Sequence, residues 1–504
     1  MSHAYDLDKS LINFSTNYWL ADWTIREAVE GVGIFGGIGS GKTSGSGRLL
    51  AKKYLSDGFG GLVLTAKPER ELWEQYCRET NRQDDLIIVE PGGQHHFNFI
   101  EYESSNKNGV KPIVQNIVEV LQTVIRSSEE KSGGKSDDPF WESALDMLVY
   151  NTIELCLLAY GKVSIQQLYD VAMSIPKSGD EANRDKDGEK KIPFYQAFAK
   201  AQEKIQKLTD MFEASLSVDE RNNLDYEDRD FLYNVFFEAV PDARTLQSID
   251  QFFIETFRTL SEKTRSIIEF AFNGFLFRML KDPVYSLFCN KPSTFKPEDC
   301  LDGKIIILNL PIKTYHKIGR DCQVLFKYIW QRAMEKRNIR ENGRPVFLFA
   351  DEAQHFLHEY DSEYQATARS SRIATVYISQ NLANYHANMG GTKSEHRVKS
   401  FLGTLGTKIF HSNADTQTNE YASALIGDGY TEDISTSSTM AGEFSTTRGK
   451  SFRLERMVRP EEFVGLRNGG PKNKFLVDGY MHRQANPFPD GMNFRKITFS
   501  QTNS

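Results

Sequence analysis

The 504-residue chain has five cysteines, Cys77, Cys156, Cys289, Cys300 and Cys322, and no Cys-x-x-Cys pair. So odd and sparse a set excludes a disulfide scaffold and a thiolate zinc site, and it points to a reducing compartment. Long apolar runs are also missing. Leu145–Tyr160 is broken by Asp146, Asn151 and Glu154, and Ile267–Leu280 by Glu269, Asn273 and Arg278. Neither supplies the roughly 18 uncharged apolar residues of a membrane span. Met1–Leu20 lacks a basic region followed by an apolar core, so no signal peptide is expected. Nor is there an excess of positive charge: 61 Lys and Arg stand against 68 Asp and Glu, a net −7. Any contact with nucleic acid must therefore be local. The 39% hydrophobic and 26% charged residues that are present fit a soluble folded protein of several domains.

Two α/β regions flank a helical one. Continuous apolar runs at Gly31–Phe35, Gly61–Thr65 and Leu86–Val89 read as parallel strands covered on both faces. Lys42–Leu55 and Glu69–Glu79 read as the helices between them. From Val110 to Leu280 apolar residues recur at helical spacing, as in Ile113, Ile117, Val120, Leu121 and Val124. Polar stretches at Ser127–Pro139 and Pro176–Lys191 read as exposed connectors. Strand signals return at Lys304–Leu310, Val346–Ala350, Ile373–Ile378 and Lys408–His411, with helices near Asp321–Arg337, Glu363–Arg369 and Thr416–Leu425. The Ser/Thr-rich Thr431–Thr447 reads as a mobile loop and the last 20 residues as irregular. The expected organisation is an α/β domain in two parts, 1–109 and 281–504, around an inserted all-α domain, 110–280.

The strongest chemical signal is Gly36-Gly37-Ile38-Gly39-Ser40-Gly41-Lys42-Thr43, followed by Ser44. It is a Gly-x-x-x-x-Gly-Lys-Thr phosphate loop, placed after an apolar strand and before a helix as the motif requires. Its glycines let backbone N–H groups wrap a phosphate at a helix N-terminus. Lys42 is expected to reach the β- and γ-phosphates of ATP and Thr43 to ligate Mg²⁺. The second signal is Val346–Ala350 followed by Asp351-Glu352, an apolar strand with two carboxylates at its carboxyl end. Asp351 is assigned to the Mg²⁺ shell, and Glu352 to orienting and polarising an attacking water. The third is Ile373–Ile378 followed by Ser379-Gln380, where Gln380 could sense the γ-phosphate or be an ordinary strand-terminal amide. His95-His96 and His355/His358 have no matching Cys/His set and read as exposed or core histidines. The basic residues of His386–Lys408 read either as a DNA-facing loop or as a solvated face.

Together these stretches resemble the type IV secretion coupling proteins (TraG/TraD-like), within the FtsK/HerA group of RecA-like ring motors. Gly36–Thr43, Val346–Gln354, Ala368–Gln380 and Leu405–Ile426 carry the resemblance, with Met457–Phe463 as an Arg-Pro-Glu-Glu-Phe segment. The resemblance implies a RecA-like core with a mainly parallel sheet, usually assembled as a hexamer, that drives DNA through its pore with ATP. It implies that Arg369, eleven residues before Gln380, is the finger reaching a neighbour's ATP; the alternative for Arg369, or nearby Arg372, is a solvated helix-end charge. Two departures stand out. No membrane anchor is seen, and the family's Asp-Pro-Lys after the second strand reads Thr65-Ala66-Lys67-Pro68, keeping Lys67 and losing the acid. The expectation is a bacterial, cytoplasmic ATPase that translocates DNA without sequence preference. A relaxase, secretion-channel or defence partner would engage through the all-α domain, with recruitment to the membrane by that partner. The alternatives are a related motor in phage defence or mobile-element mobilisation, and a protein-handling or scaffold ATPase.

Overall fold

A computed structural model describes residues 5–14, 21–104, 114–130, 139–177, 192–222, 224, 228–358, 360–389, 394–441 and 443–502. The chain divides into two compact units: residues 1–88, 297–323 and 330–504 form one, and residues 89–296 with 324–329 the other.

The first unit is built on a nine-stranded sheet. In chain order its strands are β3 (Val32–Phe35), β4 (Gly60–Leu64), β5 (Leu86–Val89), β6 (Ile305–Leu308), β7 (Val346–Ala350), β8 (Ile373–Ser379), β9 (Thr407–His411), β12 (Leu476–Arg483) and β13 (Phe494–Ser500). They lie in the order β13-β12-β9-β3-β8-β7-β4-β6-β5. The ladders joining β9, β3, β8, β7, β4 and β6 are parallel, and β12 pairs antiparallel with both β9 and β13. Strands β3, β4, β6, β7 and β8 are buried along their whole length, the pattern of parallel strands covered on both faces. Beneath one face lies an aromatic core in which Tyr54 stacks on Phe59 at 5.1 Å and Trp73 meets Phe349 edge-on at 5.1 Å. A short antiparallel pair, β1 (Ser10–Asn13) and β2 (Asp22–Thr24), joins the same core through Leu11, Ile12 and Trp23.

Parallel strands deliver their carboxyl ends to one edge, where ligands of open α/β sheets bind. Here β8 lies between β3, which leads into the phosphate loop, and β7, which leads into Asp351-Glu352. The end of β8, Ser379 and Gln380, is thereby set between the two motifs.

The second unit is helical. Its helices include Val114–Glu130, Pro139–Tyr160, Ile165–Met173, Pro193–Ser215 and Glu262–Met279. Ile117, Leu121, Val124, Leu148, Ile153, Leu168, Phe272 and Phe275 are all buried. Two of these helices start on side-chain caps: Ser164 accepts from the Gln167 N–H, and Ser261 from the Thr264 N–H. Much of the connectors expected at Ser127–Pro139 and Pro176–Lys191 lies outside the described residues.

Three expectations are corrected. Thr431–Thr447 is not a loop. It belongs to a two-stranded ribbon of β10 (Asp428–Ala441) and β11 (Glu443–Arg456), paired in register from Asp428 opposite Arg456. Its Ser and Thr content was read as loop composition, but threonine favours extended backbone, and Tyr430 and Ile434 on one strand, with Phe452 and Leu454 on the other, keep the strand alternation. The C-terminal stretch is not irregular either: Phe494–Ser500 is an edge strand, whose Arg495 and Lys496 suit an edge and hid the apolar alternation. Third, the helix after the phosphate loop starts as a π turn, Thr43–Gly47, with the Gly47 N–H bonded to the Lys42 carbonyl at 2.9 Å, and becomes α-helical at Arg48–Ser56.

Candidate active site

The phosphate loop leaves β3 and closes on itself. The Gly37 N–H bonds the Ser412 carbonyl at 2.8 Å and the Ser40 N–H bonds the Gly37 carbonyl at 3.2 Å. Two glycines are sterically required. A Cβ on Gly36 would lie 2.4 Å from Ser40 Oγ, and one on Gly41, whose φ is +79°, would lie 2.5 Å from Val477 Cγ2. Gly39 also sits at positive φ and Ile38 is exposed at the tip of the loop. Ser40 and Lys42 are buried, and among the described residues the Ser40 hydroxyl has no hydrogen-bond partner. Ser44 Oγ accepts from Gln501 Nε2 at 2.6 Å, which ties the loop to the C-terminal edge of the sheet.

The fold brings the second motif to the first. Thr43 Oγ1 donates to Asp351 Oδ2 at 3.0 Å across 308 residues of sequence. Asp351 and Glu352 are both buried, and Glu352 takes a left-handed backbone conformation with φ +52°. That conformation is uncommon for a residue with a side chain and clusters at functional sites. Around the Glu352 carboxylate, Gln354 Nε2 donates to Oε2 at 2.9 Å, and Gln380 Nε2 lies 3.3 Å from Oε1 and 3.5 Å from Oε2. Lys67 Nζ lies 3.4 Å from Oε1. Burial alone would raise the Glu352 pKa; the Gln354 bond, the Lys42 charge, the Gln380 bond and the Lys67 charge outweigh it and hold the group below the ordinary range. Burial works against the Lys67 charge as well, but Asp351 and Glu352 hold its pKa above the usual lysine value. Glu69 behaves oppositely: burial and the Asp351 carboxylate push it up. The acid missing from the Thr65–Pro68 stretch thus has a carboxyl-bearing neighbour two residues beyond Lys67.

A second buried network supports the loop from below. His411 Nδ1 lies 2.8 Å from the Asp478 carbonyl and its Nε2 lies 2.7 Å from Ser46 Oγ. A carbonyl only accepts, so Nδ1 carries the proton. Burial lowers the His411 pKa to about 4, so the ring is neutral and Nε2 accepts from the Ser46 hydroxyl.

Lys42, Thr43, Asp351, Glu352 and Gln380 therefore share one edge of the sheet. Arg369 is not among them: it is 58% exposed and pairs with Glu30 Oε1 at 3.3 Å. Its alternate, Arg372, is tied to the backbone carbonyls of Gly343 and Tyr5. Of the basic segment His386–Lys408, Lys393 lies outside the described residues. Lys408 cannot face DNA, because it is buried with its ammonium on the Leu405 carbonyl at 2.6 Å, and burial lowers its pKa to about 8. The residues missed from sequence are Gln354, Glu69 and His411. Only Gln354 carried a signal, its position two residues after Glu352.

Among the described residues no helix is long and apolar enough to cross a membrane. Residues 345–468 match the family model described as the TraM recognition site of TraD and TraG. No match is found among curated proteins. Among solved structures, the bacterial conjugative coupling protein TrwBdeltaN70 in its unbound form superposes with a TM-score of 0.58 at 14% identity, covering 95% of this chain and 86% of that one. The plasmid coupling protein TrwB with the non-hydrolysable GTP analogue GDPNP gives 0.57 at 13%, covering 96% and 88%. TrwB with ADP and Mg²⁺ gives 0.53 at 12%, covering 96% and 87%. The chain shares the fold of the conjugative coupling protein TrwB, and its residues 345–468 match the model for the TraM recognition site of TraD and TraG.

Proposed function

We propose that the protein is a Mg²⁺-dependent ATPase that assembles into a ring, by expectation a hexamer, and moves DNA. The observation that carries this reading is the Thr43–Asp351 contact at 3.0 Å with the buried Glu352 carboxylate beside it. A hydroxyl and a carboxylate brought together offer the hard oxygen donors that Mg²⁺ takes. The buried Ser40 hydroxyl, without a partner among the described residues, and the positive φ of Gly39 and Gly41 suit a loop wrapped about a phosphate. Solved structures of TrwB hold ADP with Mg²⁺ and a non-hydrolysable ATP analogue, which supports the same ligands here.

In this reading backbone N–H groups of Gly36–Ser44 hold the phosphates and Lys42 neutralises the β- and γ-oxygens. Thr43 and Asp351 hold Mg²⁺, which when bound offsets phosphate charge. Glu352 orients and polarises the water that attacks the γ-phosphorus, and Gln380 senses the γ-phosphate. Arg369, exposed and away from its own phosphate loop, completes the site of a neighbouring copy. Work in the cytoplasm and recruitment to the membrane by a partner belong to the same proposal. So does partner docking on the helical unit or on 345–468, the stretch whose family is named for TraM recognition.

The test is ATP turnover with and without random-sequence single- and double-stranded DNA over a salt series. A motor that holds every sequence it passes contacts phosphates, so stimulation should be insensitive to sequence and fall steeply with salt. Each neutralised phosphate contributes a slope of roughly −0.9 in log affinity against log salt for duplex DNA. Turnover indifferent to DNA at low salt, in an assembled ring, would favour a scaffold ATPase.

A further inference from the structure

We infer that Gln354 and Ser379 form a positioning relay that holds one oxygen of the Glu352 carboxylate and so leaves the other to the attacking water. The inference rests on the reading that Glu352 polarises that water.

The two oxygens of Glu352 are held unequally. Oε2 receives Gln354 Nε2 at 2.9 Å, while among the described residues Oε1 has only the longer contacts, Gln380 at 3.3 Å and Lys67 at 3.4 Å. A short charge-assisted bond fixes an oxygen, and longer contacts are readily exchanged for a substrate water. This matters because the terminal torsion of a glutamate is broad and by itself selects no orientation. Glu352 lies just past the end of β7, so the orientation of its carboxylate is set by the groups it touches.

Gln354 can do this only with its amide turned one way, and Ser379 fixes the turn. Ser379 Oγ lies 2.9 Å from Gln354 Oε1. An amide oxygen only accepts, so the serine hydroxyl donates. Its other acceptor, the Asn381 carbonyl, is farther at 3.4 Å, and the single hydroxyl proton goes to the nearer oxygen. With Oε1 engaged by Ser379, Nε2 is the end that meets Glu352. The flipped amide would set a carbonyl oxygen against a carboxylate oxygen and leave the hydroxyl proton facing an NH₂ group. Gln354 and Ser379 are both buried, so water does not compete for these bonds. Ser379 is the last residue of β8, the strand between those carrying the two motifs, so the relay links the middle strand to the catalytic carboxylate.

In this relay both residues act through the Glu352 carboxylate, so both should act on kcat rather than on nucleotide binding. Gln354→Met keeps the length and removes the donor. A hydrogen bond to a charged group accounts for about a ten- to a hundredfold change when lost. Gln354→Met should therefore lower kcat by about that factor, with the Kd for a non-hydrolysable ATP analogue unchanged. Ser379→Ala should lower kcat less, and Ser379→Thr, which restores a hydroxyl, should recover most of it. In a Glu352→Gln background, Gln354→Met should add nothing, because the relay acts through the carboxylate. Wild-type kcat in Gln354→Met, an equal fall in the Glu352→Gln background, or equal loss in Ser379→Ala and Ser379→Thr would each overturn the relay. If Gln354→Met does not fold, as shown by circular dichroism, the serine pair decides alone. Full turnover in Glu352→Gln itself would strike the reading beneath the relay, and the two failures are thus distinguishable.

Discussion

The two units of this chain bury polar groups in different ways. Within residues 89–296, the buried polar side chains among the described residues are Asn151, Thr152 and Arg265. Asn151 and Thr152 bond carbonyls of their own helix, those of Met147 and Leu148, and Arg265 bonds the Ile175 and Pro176 carbonyls and pairs with Glu269 Oε1 at 2.7 Å. The α/β unit instead buries Lys42, Asp351, Glu352, Gln354, Ser379 and His411, and most of their bonds run side chain to side chain between elements. Burying such groups is unfavourable unless each finds a partner, so their concentration at one sheet edge marks where the chemistry lies. Both units leave apolar groups at the surface, Ile38, Tyr430 and Phe452 in the α/β unit among them. Ile267, Phe270 and Phe277 recur at helical spacing on Glu262–Met279 and are about half exposed or more. The contrast places the buried network of interacting polar side chains in the α/β unit.

The largest effect expected on that division is at Arg369. If it completes a neighbour's site, Arg369→Ala should bind ATP and lose about 10³-fold or more in turnover. Mixing it with inactive Lys42→Ala chains should restore part of the activity, and no recovery in a mixture shown to co-assemble would confine the site to one chain. Lys42→Ala should come next, weakening ATP binding about ten- to a hundredfold by equilibrium titration, as for loss of a charged hydrogen bond. In the helical unit Leu148 is fully packed. Leu148→Ala should lower stability by about 2–5 kcal/mol in thermal or urea melts while leaving ATP affinity unchanged. A fall in affinity would show that the units are not separable. The smallest effect is expected for Phe270→Ser, which should leave basal ATP turnover within about twofold. A large loss there would break the division.

What could be read from sequence follows the distance over which each feature is encoded. The phosphate loop is eight consecutive residues, and the strand ending in Asp351-Glu352 is seven, so local pattern suffices for both. The parallel strands were legible because burial on both faces makes them continuously apolar. The place of Gln354 two residues after Glu352 is local, but its orientation is not, because that depends on Ser379, 25 residues onward on another strand. The partner of Arg369, Glu30, is more distant still. Thr431–Thr447 reads as a loop because serine and threonine serve loops and exposed strands alike, and only the register between the two halves of the ribbon separates them. Lys408 was read as a surface charge because nothing local shows that β9 lies inside the sheet, between β3 and β12.

The most direct measurement is ATP hydrolysis and ATP retention by Glu352→Gln. The substitution keeps shape and removes the carboxylate that would polarise water. A positioned acid or base contributes typically 10²–10⁴-fold, so hydrolysis should fall by about that factor while ATP with Mg²⁺ still binds and persists. Hydrolysis at the wild-type rate would contradict the assignment of Glu352 and, with it, the reading of this sheet edge as a hydrolytic site.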